Sequence, residues 1–102
     1  MDMKKMMKQA QKMQLELARA QEEINGMEFE ASAGGGMIKV VATGDMTIKS
    51  ISINPDAVDP DDVEMLEDMV LAAVNEALRG VADMSAQRMN AATGGMNIPG
   101  LM

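Results

Sequence analysis

Five cations fall within the first nineteen residues of the chain, Lys4, Lys5, Lys8, Lys12 and Arg19, and they are the groups whose type and spacing best fit a chemical task. On a helix they form a basic stripe, and such a stripe can neutralise the phosphates of a nucleic acid. Gln9 and Gln11, set among them, can donate to phosphate oxygens or base edges. The same stripe would also serve as a plain solvated helix face. One detail argues for more than solubility. Glu22 and Glu23 lie near the C-terminal end of this stretch and the lysines near its start, the reverse of what a helix dipole favours, at about 0.3 to 1 kcal/mol per misplaced charge.

Other constellations carry less. The acidic run Asp56, Asp59, Asp61, Asp62, Glu64, Glu67 and Asp68 lacks the spacing of a calcium loop, because Pro60 and Asp61 stand where a ligand and the turn glycine are needed. Helix capping accounts for it, and no metal or other cofactor is expected. Gly34-Gly35-Gly36 is not followed by the Gly-Lys-Ser/Thr of a phosphate loop and opens no helix, so it reads as a hairpin turn. The chain has no Cys and no His, and Phe29 is its only aromatic. Disulfides, thiolate chemistry and zinc sites of the usual kind are thereby excluded, and a general base near neutrality has no ready candidate. No catalytic residue is assigned and an enzyme is not expected. Fourteen methionines, spread evenly, suit core or interface packing better than a cofactor box.

The formal net charge is −7, which taken alone opposes binding a polyanion. What decides the matter is placement, since a charge is felt over roughly 8 Å at physiological salt. The start, Met-Asp-Met-Lys-Lys, is followed by no continuous apolar stretch, so neither a secretory signal nor a membrane-spanning helix is expected and the cytoplasm is the natural compartment.

The elements that must position the stripe follow from periodicity. Met3, Met6, Ala10, Met13, Leu17, Ala20 and Ile24 recur in steps of three and four, a heptad seam of three repeats, with Asp2 as cap and Asn25-Gly26 as stop. Alternation then predicts a strand through Met27, Phe29, Ala31 and Ala33, and a second from Met37 to Thr43. After a Gly44-Asp45 turn a third strand runs from about Met46 to Asn54. Ile48 is out of phase with Ile51 and Ile53 there, which calls for a bulge near Lys49-Ser50 or a different environment for Ile48. Asp59-Pro60 reads as a capped helix start, with the helix running to about Arg79; Gly80 breaks or bends it, and a further stretch extends through Met89. The architecture expected is α+β: a helix, a three-stranded antiparallel sheet and one or two further helices. Residues 1–93 are expected to form a single domain, with the first helix at 1–25, the sheet at 27–54 and the C-terminal helices at 60–92, and residues 94–102 are expected to be a flexible tail.

The apolar set of the second helix, from Val63 to Leu78, is too broad for one side of a three-stranded sheet to cover. That surplus and the Met seam point to a twofold homodimer, the alternative being that the two helices cover each other within one chain.

Several segments together resemble the YbaB/EbfC family: Gly34-Gly35-Gly36-Met37-Ile38-Lys39-Val40, Gly44-Asp45 leading to Ile51-Ser52-Ile53-Asn54-Pro55, Glu64-Met65-Leu66-Glu67-Asp68 with Ala72-Ala73-Val74-Asn75-Glu76-Ala77, and Gly94-Gly95-Met96-Asn97-Ile98-Pro99-Gly100. The resemblance covers nearly the whole chain. It implies a tight homodimer with its helices between two sheets, a cytoplasmic, nucleoid-associated protein that binds double-stranded DNA with little sequence specificity, and projecting first helices that make the contact through Lys4, Lys5, Lys8, Lys12 and Arg19. No membrane and no small-molecule substrate are expected. The competing possibility is a non-catalytic protein–protein interaction module that uses the Met seam to accept a partner helix.

Overall fold

The computed structural model describes residues 2–93; the tail assigned to 94–102 lies outside them. Asp2 caps α1 (Met3–Gly26), its carboxylate accepting from the backbone N–H groups of Lys4 and Lys5 at 3.1 and 3.4 Å. Three antiparallel strands follow in the order β1 (Glu28–Ala33), β2 (Ile38–Thr43) and β3 (Ile48–Ile53). Gly34, Gly35 and Gly36 turn the chain between β1 and β2, all three at positive φ. A short 3-10 turn, Pro55–Ala57, leads to α2 (Val63–Ala92).

The phase problem in β3 is solved by a bulge. Val41 pairs with Ser50 but its neighbour Ala42 pairs with Ile48, so Lys49 is the extra residue and Ile48, Ile51 and Ile53 all share the face of Ile38, Val40 and Ala42. That face meets α2. Ala31, Ile38, Val40 and Ala42 of the sheet and Ala73, Ala77 and Val81 of the helix form the buried core. The alanines let helix and sheet backbones approach closely.

One expectation about α2 is corrected. The helix is capped by Asp62, whose carboxylate accepts from the N–H of Met65 at 3.2 Å; Asp59 instead holds a turn through the N–H of Asp61 at 2.9 Å. Of the one or two further helices expected, the structure has one, of 30 residues, which runs through Gly80 without a break. The ring of Phe29 packs directly on the helical Gly80: a Cβ at position 80 would lie 2.2 Å from the ring. The glycine makes room for an aromatic, and this packing outweighs its helix penalty of about 1 kcal/mol relative to Ala.

Helix α2 lies across β1 and β2. The apolar residues of β3 stay open on the same side, Ile51 being 47% and Ile53 39% exposed. They continue into an apolar groove lined by Ile53, Leu66, Val70, Leu71 and Val74.

Candidate nucleic-acid interface

The molecule measures 72 × 25 × 16 Å, and α1 accounts for much of its length. Burial along the seam falls steadily toward the N-terminus. Ala20 and Ile24 are buried, Met13 and Leu17 half-buried, and Ala10, Met6 and Met3 exposed. The root of the helix is held tightly. The carbonyl oxygen of Ile24 occupies the place where a side chain at position 44 would begin, 1.6 Å from an ideal Cβ, so only Gly44 fits, and the N–H of Gly44 donates to the Met27 carbonyl at 2.9 Å. Farther out, Glu16, Arg19 and Glu23 of α1 face Arg88, Ala91 and Ala92 of α2 across a shallow groove. The segment before Glu16 therefore runs past the end of α2 by about 20 Å, at 1.5 Å per residue.

The five predicted cations all lie on this helix and all are exposed. With each residue turning the helix by about 100°, they occupy one sector about 100° wide, centred roughly 150° away from the Met seam. The seam turns inward where α2 covers it; Lys4, Lys5, Lys8 and Lys12 lie on the segment beyond the end of α2, whereas Arg19 lies at the groove beside Arg88. Gln9 and Gln11 flank the stripe and are exposed as well. Leu15 lies within the stripe at 52% exposure, an apolar residue that the seam periodicity does not single out.

None of Lys4, Lys5, Lys8, Lys12 or Arg19 forms an ion pair among the described residues. The pairs present are Lys49 with Glu28 on the sheet, Arg79 with Glu76 on α2, and Arg88 with Glu23 between the helices. Residues 2–19 hold those five cations against two carboxylates, whereas residues 20–102 hold four cations against fourteen. The acidic run sits at the start of α2, the end remote from the stripe. Along α2 from Asp68 to Arg88, which is level with Glu23, is already about 30 Å, several Debye lengths. The acids and the stripe are thus electrostatically separate. Among the described residues no group of three or more acidic side chains is placed to hold a metal ion, and no helix is long and apolar enough to cross a membrane.

Sequence reasoning missed Arg88. Its Nε donates to Glu23 Oε2 at 2.6 Å, and the guanidinium holds the Glu23 carboxyl below the ordinary glutamate range, by the hydrogen bond first and by charge second. The only signal for it was the awkward position of Glu23 at the negative end of its own helix.

The arrangement as a whole suits a linear polyanion. Over 100 residues the chain is 57% identical to a nucleoid-associated protein of Pelotomaculum thermopropionicum, spanning 98% of this chain and 95% of that protein. A nucleoid-associated protein of Thermoanaerobacter pseudethanolicus is 59% identical over 96 residues, 94% of this chain and 86% of that one. The fold is shared with the crystal structure of an uncharacterized protein from Helicobacter pylori, at a TM-score of 0.72 and 21% identity, with 95% of this chain and 99% of that chain covered. A family match across residues 1–96 joins these likenesses, and the chain belongs to the YbaB/EbfC DNA-binding family.

Proposed function

We propose that this protein is a nucleoid-associated homodimer that grips double-stranded DNA with little sequence preference through the outward faces of its two α1 arms, in the cytoplasm and without catalysis. The observation that carries this reading is the exposed, unpaired set Lys4, Lys5, Lys8, Lys12 and Arg19 on a helix that extends beyond the body, about 30 Å or more from the main acidic cluster. Lysines act on phosphate as point charges and carry little base information, which is why sequence tolerance is expected. From Lys4 to Arg19 the stripe covers about 22 Å, the axial length of six or seven base pairs.

A second copy of the chain supplies what the open apolar face lacks. Ile51, Ile53 and Leu71 are large, apolar and exposed, on the side of the sheet that carries the core. Pairing this face about a twofold axis buries it between two sheets and gives the assembly two arms. The test is direct. Replacing Lys4, Lys5, Lys8 and Lys12 together with Gln removes four of the arm's five cations without touching a buried group, so duplex binding measured by fluorescence anisotropy is expected to disappear while the dimer persists. Unchanged binding would exclude the arms as the contact.

The exposed outer seam favours a second reading, in which Met3 and Met6, 73% and 52% exposed, accept a partner helix. In that case Met6→Glu with Met13→Glu abolishes partner capture, and no DNA complex forms even at low salt.

A further inference from the structure

Arg19 of α1 and Arg88 of α2 line one groove with Glu23 between the two helices. Glu23 follows Arg19 by four residues on α1, a spacing at which opposite charges meet on a helix surface, and Glu16 precedes it by three. All of these groups line the groove between α1 and the end of α2. Yet Glu23 is engaged by Arg88, at 2.6 Å, while Arg19 forms no ion pair among the described residues. The Arg88 side chain is 30% exposed, packed down in the groove, whereas Glu23 is 58% exposed and free to turn toward either arginine.

We infer that Arg88 is a positioning residue for DNA binding: by holding Glu23 across the helix interface it keeps Arg19 unneutralised and available to a phosphate. This rests on the reading of α1 as the DNA-binding arm. An arginine paired with a neighbouring carboxylate no longer adds its charge to the stripe, and each phosphate left unneutralised lowers the log–log salt slope by about 0.9. The position of Glu23, unfavourable within its own helix, acquires a reason: it is the partner that Arg88 must occupy. Without Arg88, Glu23 turns to Arg19.

The experiment measures the salt dependence of binding to a fixed duplex for the full chain and its variants, each checked for helix content and dimer mass. Arg88→Gln is expected to bind several-fold more weakly at roughly 50 mM salt, with the slope reduced by about 0.9 per arm. Glu23→Gln combined with Arg88→Gln restores the slope. In an Arg19→Gln background, Arg88→Gln changes nothing further, because the group it protects is gone. Arg79→Gln, which breaks the other ion pair of α2 at the same cost in net charge, leaves the slope unaltered. A loss that persists in the Arg19→Gln background, a double variant that stays weak, an equal loss with Arg79→Gln, or no loss with Arg88→Gln overturns the inference alone, provided binding depends on the arm lysines. Binding that survives neutralisation of Lys4, Lys5, Lys8 and Lys12 overturns the arm reading and takes this inference with it.

Discussion

The ring of Phe29 occupies the space that a side chain at position 80 would need, with three ring carbons between 2.2 and 2.4 Å from an ideal Cβ there. Gly80→Ala therefore sets a small gain in helix propensity against an overlap in a packed region. Overpacking of this kind costs about 1–3 kcal/mol, and Ala over Gly returns about 1. The variant is expected to unfold at lower urea concentration. Shrinking the ring as well, by Phe29→Leu, should make the Ala tolerable, so that the double variant is more stable than the two separate losses predict.

The Glu23–Arg88 pair has a pH signature. Arg88 lowers the Glu23 carboxyl from its ordinary value of 4.5, and Glu23 in turn raises Arg88. A carboxyl lowered in the folded state contributes fully above that ordinary value, and the contribution is lost as pH falls through the lowered folded value. At neutral pH the pair is intact. Side-chain carbon shifts followed by NMR should place the Glu23 midpoint below its ordinary value, and Arg88→Gln should raise it. Asp45 provides a parallel case in the β2–β3 turn, lowered chiefly by the Thr43 hydroxyl and next by Thr47, so Thr43→Val should raise it.

Leu71 is 59% exposed at the edge of the open apolar face, beside the groove that Ile53 also lines. A charge there costs the single chain little and the proposed dimer a great deal, since it would be buried without a partner. Leu71→Asp is expected to halve the mass seen by sedimentation equilibrium at micromolar concentration while leaving the helical signal. A wild-type chain that is already monomeric under those conditions would remove the twofold reading.

Periodicity alone locates the helices and strands, because each buries one face and the intervals of 3.6 and 2 survive in the residue order. The bulge at Lys49 is legible for the same reason: Ile48 is out of step with Ile51 and Ile53, and an inserted residue corrects it. Two features are hidden. Gly80 reads locally as a breaker, whereas the helix runs through it and the glycine makes room for the Phe29 ring, a long-range contact that sequence order does not encode. Asp59 and Asp62 both suit a cap, and the choice between them is made by where the chain leaves the 3-10 turn. At the candidate site the stripe is visible as a run of cations, whereas its protection by Arg88 joins residues 65 positions apart. The Met seam is legible from its spacing, but periodicity does not show how far α2 covers it.

In the proposed mode of binding, the arm cations, kept apart from the acidic body, hold DNA by displacing its counterions. The most direct test is the slope of log binding constant against log salt for an unrelated duplex, measured for the wild type and for the variant with Lys4, Lys5, Lys8 and Lys12 changed to Gln. A slope of several units in the wild type, falling by about 0.9 for each lysine that meets a phosphate, is the predicted result. Equal slopes for the two proteins would contradict it.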